Sequence, residues 1–221
     1  MEDKLVMVKF EDVLRQATHK VGVSLSDTQI DLFGLYLGEL LEWNKIFNLT
    51  RIRDPEDIII KHFVDSLTPL PYLELSGGLL DIGPGAGFPS LPLKIAAPEL
   101  RVQLVEANRK KVSFLKHLIR TLKLESVTVL HSRFEHMRLP EQFFSTIISR
   151  AFTRLEPLLK LVTPFLQPGN TLVVMLGPTN VEDHTRFADL ALTEGLGLDR
   201  TVSLELPRGR GGRTLLFFQK R

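Results

Sequence analysis

Apolar residues in the first third of the chain recur at three- and four-residue intervals. Ile30, Phe33, Leu37, Leu40 and Leu41 fall on one helical face, and Ser26 followed by Gln29 predicts a capping box where that helix begins. Asp54-Pro55 predicts a second helix start, with proline at the first helical position and Asp57 close behind it, where a carboxylate meets free N–H groups. That helix carries Ile58, Ile59, Phe63 and Leu67 and stops before Pro69 and Pro71.

From Gly78 the pattern changes to short apolar runs separated by amphipathic stretches. The runs predict strands at 79–82, 102–106, 127–130, 146–149, 171–176, 201–206 and 214–219, with helices at 91–97, 110–122, 155–166 and 181–193. Strands alternating with helices imply a parallel sheet covered on both faces. The last two strands have no helix between them and should form an antiparallel hairpin, with Arg208-Gly209-Arg210-Gly211-Gly212 at its tip. The expected architecture is α/β: a Rossmann-like, seven-stranded sheet over residues 76–221 and an N-terminal helical extension over residues 1–75.

Composition narrows this picture mainly by exclusion. The 221 residues include no cysteine, so disulfides, thiolate nucleophiles and cysteine-ligated zinc are ruled out. The charged start Met1-Glu2-Asp3-Lys4 does not resemble a secretory signal, and no apolar run approaches the roughly 18 residues of a membrane span. A cytoplasmic protein with no membrane partner is expected. The net charge of +2 and a pI near 8.9 are compatible with a nucleic-acid partner without requiring one.

The candidate chemistry lies in Leu79-Leu80-Asp81-Ile82-Gly83-Pro84-Gly85-Ala86-Gly87-Phe88. Glycines after a strand let the backbone turn sharply and approach a ligand with no Cβ in the way. Glu106 lies 19 residues after Gly87, at the end of the next predicted strand, where a carboxylate can accept both hydroxyls of an adenosine ribose. Dinucleotide sites favour G-x-G-x-x-G, because a pyrophosphate must sit on the helix. Here Gly83, Gly85 and Gly87 make the tighter G-x-G-x-G, with Asp81 two residues before the first. S-adenosylmethionine carries no phosphate and has a cationic amino group that such an acid can hold, so it is the cofactor favoured. A ligand-free glycine turn is the alternative that the strand, the loop, the helix and Glu106 together argue against.

The methyl acceptor is narrowed by elimination. Methylation at a pyrimidine carbon usually needs a cysteine. Exocyclic amine methylation commonly uses an Asn/Asp-Pro-Pro-aromatic turn after the fourth strand, where this chain reads Ser149-Arg150-Ala151-Phe152. A ring nitrogen with a free lone pair, such as guanine N7, needs neither device, only alignment.

With these residues in view, the sequence resembles the glucose-inhibited division protein B family, bacterial 16S ribosomal RNA guanine-N7 methyltransferases. The segments that carry the resemblance are 43–50, 61–67, 81–89, 110–115, 132–135 and 149–152, in family order. The resemblance implies that Gly83 and Phe88 line the cofactor, that Phe134 and Glu135 sit beside the adenine, and that Arg150 closes the site near the methionine moiety. It also implies 16S ribosomal RNA or the small ribosomal subunit as partner. A lysine that family members often carry before the glycine after the fifth strand is missing here, where Met175-Leu176-Gly177 stands.

Other candidates are more open. Asn48 could donate to guanine O6 or simply cap a helix. His62 and Asp65, one helical turn apart, are read as a clamp between the extension and the sheet rather than as catalysts. Arg208, Arg210 and Arg213, on a glycine-rich loop taken as mobile, and Lys110 and Lys111 are candidate RNA contacts, set against ordinary solvated surface. Trp43 and Phe152 could stack on a base, though a core role is commoner. No metal is expected, and a monomer is. Two other functions fit the same pattern: a small-molecule methyltransferase whose N-terminal helices form a lid, and a non-catalytic nucleotide-binding module.

Overall fold

The computed structural model describes residues 2–74, 77–137, 144–150 and 154–221, with side chains from Lys9 onward. Two long helices, α1 (Glu2–Lys20) and α2 (Asp27–Phe47), open the chain. The capping box forms: Ser26 Oγ accepts from the Gln29 N–H at 3.3 Å and Gln29 Oε1 from the Ser26 N–H at 2.9 Å. The Gln29 amide also donates to the carbonyls of Ile95 and Ala96, so the cap ties α2 to the sheet-covering layer. The buried face of α2 is Ile30, Phe33, Tyr36, Leu40 and Asn44. Leu37 and Leu41, expected there, are only partly buried, and Tyr36 takes the central place.

Asp54 caps α3 (Pro55–Ile58), accepting from the Asp57 N–H at 2.8 Å. The chain then widens into a π-helical turn, Ile59–Val64, before a last helical turn, α4 (Asp65–Leu67). Beyond it come β1 (Gly78–Ile82), α5 (Ser90–Ala96), β2 (Arg101–Glu106), α6 (Arg109–Thr121), β3 (Val127–His131), β4 (Phe144–Arg150), α7 (Leu155–Val162), β5 (Thr171–Leu176), α8 (Val181–Thr193), β6 (Leu196–Glu205) and β7 (Gly212–Lys220). The helix expected over 155–166 is shorter, because Pro164 lacks an N–H and the chain tightens into a 3₁₀ turn at Thr163–Phe165. Strand β6 starts five residues earlier than expected, since pairing with β7 recruits Leu196, Gly197 and Leu198 despite their weak strand pattern.

The seven strands form one sheet in the order β3-β2-β1-β4-β5-β7-β6. β1 to β5 pair in parallel, and β7 inserts antiparallel between β5 and β6. Side chains alternate between two cores. Leu79, Leu104, Ile148, Val173 and Phe217 join α1, α2 and α6, while Leu80, Val105, Ile147, Leu172, Val174 and Phe218 join α7 and α8. The N-terminal helices therefore have no core of their own. Phe10, Leu14, Phe33 and Phe63 belong to the same cluster as one face of the sheet. The parallel strands end at one edge, which brings Ile82, Glu106, Arg150 and Leu176 together where open α/β sheets bind ligands.

Candidate active site

The turn after β1 is built around glycine. Gly85 has φ +62° and its N–H donates to Glu106 Oε2 at 3.1 Å, which locks the loop to the end of β2. Gly87 has φ +103°, and a Cβ there would lie 2.5 Å from the Tyr36 hydroxyl and 2.7 Å from Leu91 Cδ1. No larger residue fits, because α2 packs directly on the loop; the Tyr36 hydroxyl donates to the Ala86 carbonyl at 2.6 Å. Glu106 is buried, and its second oxygen accepts from the Asn108 N–H at 2.8 Å. Asn108 in turn caps α6 through the N–H groups of Lys110 and Lys111.

Beside this loop lies a cavity of about 360 Å³, lined by Gly83, Val105, Glu106, Ala107, Lys111, Ser132, Arg133, Phe134 and Glu135. Of the expected cofactor residues, Gly83, Glu106, Phe134 and Glu135 thus share one cleft. Phe134 is held from behind by Phe165, with centroids 4.7 Å apart. Lys111, read from the sequence as an RNA contact, also faces this cavity.

Asp81 lies at the other end of the loop, fully buried. Its Oδ2 accepts from the Ser90 hydroxyl at 2.6 Å and the Ser90 N–H at 3.3 Å, while Oδ1 is buried without a partner among the described residues. Burial pushes the carboxyl up to about 7, against the pull of Ser90. A buried carboxylate oxygen with no donor suits a cationic group, and the amino group of S-adenosylmethionine supplies one. Glu106 and the cavity suit its adenosine, so the donor set fits the cofactor. Ser90 was not singled out by sequence; its place nine residues after Asp81, on the first turn of α5, was the available signal.

Phe88 and Arg150 face the N-terminal extension rather than the cavity. The Phe88 ring is sandwiched between Tyr36 (5.5 Å, interplanar 6°) and His62 (4.4 Å, 14°), with the Arg150 guanidinium 5.2 Å from its centroid. Arg150 is ion-paired with Asp65 at 3.1 Å. The clamp expected of His62 and Asp65 is therefore present, and Arg150 is its counterpart on the sheet. Burial, and next the Arg150 charge, push His62 down to about 3, so its ring is neutral.

The hairpin-tip arginines are not free. Arg208 pairs with Glu56 at 2.8 Å, Arg210 with Asp57 at 3.1 Å, and Arg213 with Asp65 at 2.9 Å. The loop taken as mobile is fastened to α3 and α4 by carboxylates about 150 residues away in sequence, a pairing that spacing along the chain cannot display. Asn48 ends α2 in the left-handed conformation (φ +48°), its N–H bonded to the Asn44 carbonyl, so it serves as the C-cap. Trp43 packs against Phe47, Phe114 and His117, the commoner role. Lys110 lies 5.8 Å over the Phe47 ring, which joins the α6 start to the α2 end. Ala151 and Phe152 lie outside the described residues. Among the described residues no group of three or more His, Asp or Glu could hold a metal ion, and no helix is long and apolar enough to cross a membrane.

Comparison with known proteins agrees with this geometry. The crystal structure of a SAM-dependent methyltransferase from Aquifex aeolicus superposes with a TM-score of 0.58 at 18% identity, covering 77% of this chain and 96% of that one, and so shares the fold. A ribosomal RNA small subunit methyltransferase G from Staphylococcus epidermidis is 36% identical over 212 residues, 94% of this chain and 89% of its own length. The protein of the same name from Leuconostoc citreum is 39% identical over 202 residues, 87% of this chain and 84% of its own length. The model of the GidB family, described as rRNA small subunit methyltransferase G, matches residues 29–208, and with it the loop, the cleft and the clamp: the chain belongs to that family.

Proposed function

We propose that this chain transfers a methyl group from S-adenosylmethionine to N7 of a guanosine in 16S ribosomal RNA. The observation that carries the reading is the cleft in which Glu106 is locked to Gly85, together with Asp81 on the strand that leads into the same loop, whose buried Oδ1 has no partner among the described residues. Glu106 accepts the ribose hydroxyls, Phe134 and Glu135 flank the adenine, and Asp81 Oδ1 accepts from the amino group. Arg150 lies at the methionine end. The cofactor, when bound, supplies an electrophilic methyl on a cationic sulfur.

Guanine N7 attacks with a lone pair in the ring plane, so no proton has to leave before transfer. In support of such a reaction, the histidine stacked on Phe88 is not a free base: His62 is neutral, with both ring nitrogens engaged by Arg150 and Thr50. Catalysis is then orientation and approach. Lys110 and Lys111, on the rim between α2 and the cleft, meet RNA phosphates, and the exposed Asn48 amide is available to guanine O6. Arg208, Arg210 and Arg213 reach RNA only by giving up their carboxylates. The protein acts as a monomer in the cytoplasm, with the small ribosomal subunit or its RNA as partner and without a metal.

The test is to methylate 16S RNA and small subunits in vitro, digest the product and locate the methyl group by mass spectrometry. N7-methylguanosine is expected. A methyl on ribose, an exocyclic amine or a pyrimidine carbon overturns the proposal.

A further inference from the structure

We infer that Asp65 is a positioning residue for methyl transfer, acting through Arg150, so that the π-helical turn of the N-terminal extension completes the active site. The inference rests on the reading of the cleft and of Arg150 given above.

Arg150, the last residue of β4, has only donors to offer. Three of them go to one turn: Nη1 donates to the Lys61 carbonyl at 3.2 Å and to Asp65 Oδ2 at 3.1 Å, and Nη2 to His62 Nδ1 at 3.1 Å. The widened turn makes this possible. In an α-helix the Asp65 N–H would bond the Lys61 carbonyl. Here it bonds the carbonyls of Ile60 and His62 instead, and Arg150 donates to the bypassed oxygen. The donor-only guanidinium also fixes the His62 tautomer. Nδ1 must accept, so Nε2 carries the hydrogen and donates to Thr50 Oγ1 at 2.8 Å. The same imidazole lies flat on Phe88, the residue that closes the glycine loop.

One turn therefore holds both Arg150, from the sheet, and Phe88, from the loop. Asp65 holds the arrangement electrically. Its side chain is 4% exposed and stands between two guanidiniums, Arg150 on Oδ2 and Arg213 on Oδ1. Without its charge, two partly buried cations would repel across the position it occupies, and Arg150 would leave its three-point seat.

The test compares Asp65→Asn, Asp65→Glu, Arg150→Ala and the double variant Asp65→Asn/Arg150→Ala. Cofactor affinity is read by calorimetry, kcat on ribosomal RNA at saturating cofactor, and folding by thermal melting. Asp65→Asn should lower kcat about 100-fold, the order of loss expected from a displacement of about 1 Å. Asp65→Glu keeps the charge but lengthens the arm. It should melt within a few degrees of the native protein and still lose most of its kcat. The double variant should be no slower than Arg150→Ala, because both act through one group. Native kcat in either Asp65 variant, with only melting affected, would make Asp65 a structural tie and overturn the inference, as would fully additive losses in the double variant. If Asp65→Asn does not fold, Asp65→Glu decides alone. Native affinity and rate in Arg150→Ala would overturn the underlying reading of Arg150, a result distinct from failure at Asp65.

Discussion

Cofactor affinity should weaken as pH falls from 7 to 5, because Asp81, the carboxylate proposed to meet its amino group, is hard to ionise. Asp81 is fully buried, and burial lifts its carboxyl to about 7 although Ser90 donates two hydrogen bonds to it. A cationic amino group binds the ionised form. With a value near 7, roughly one site in eleven is ionised at pH 6 and one in a hundred at pH 5, so affinity should drop about tenfold and about 100-fold from its plateau. In the free protein the sign is reversed. The folded value lies above the unfolded value of about 3.9, so the stability Asp81 contributes is complete below about pH 4 and is lost as pH rises through 7, at about 4 kcal/mol. Cofactor should therefore raise the melting temperature most on the alkaline side. Titration calorimetry at pH 6 in two buffers of different ionisation enthalpy should detect close to one proton released per cofactor bound. Asp81→Asn should bind more weakly, with little dependence on pH. A dissociation constant that stays flat from pH 5 to 7, with no proton released, would refute the argument.

Three further outcomes are expected. Glu106→Ala should cost at least about tenfold in cofactor affinity by calorimetry, since charge-assisted hydrogen bonds are worth ~1.5–3 kcal/mol each and the Gly85 and Asn108 N–H groups lose their acceptor as well. Gly87→Ala, whose Cβ would strike Tyr36 and Leu91, should lose about 2–4 kcal/mol in denaturant unfolding, while Gly85→Ala, whose Cβ meets only the end of Lys111, should lose about 1 kcal/mol. Neutralising Lys110 and Lys111 should flatten the salt dependence of RNA binding by about 0.7 in logarithmic slope per lost contact. Arg208→Gln with Arg210→Gln should instead lower the melting temperature and leave that slope nearly unchanged.

The local elements were largely legible in the chain. Ser26 and Gln29 make the capping box because its partners are three residues apart, and Asp54-Pro55 starts a helix for equally local reasons. The glycine loop and the acid-ended strand are likewise short-range, and Glu106 stands where the alternation of strands and helices put it. Tyr36 was missed because positions 36 and 37 straddle the same helical face, and only packing on the glycine loop decides between them. The sequence by itself determined the strands, most of the helices, the cofactor class and the family. Tertiary structure alone decided that β7 lies between β5 and β6, that 59–64 widens to a π-turn around Arg150, and that Arg208, Arg210 and Arg213 face Glu56, Asp57 and Asp65. Periodicity and caps are set by neighbours within a turn or two, whereas an ion pair between residues about 150 positions apart exists only once the whole chain has folded.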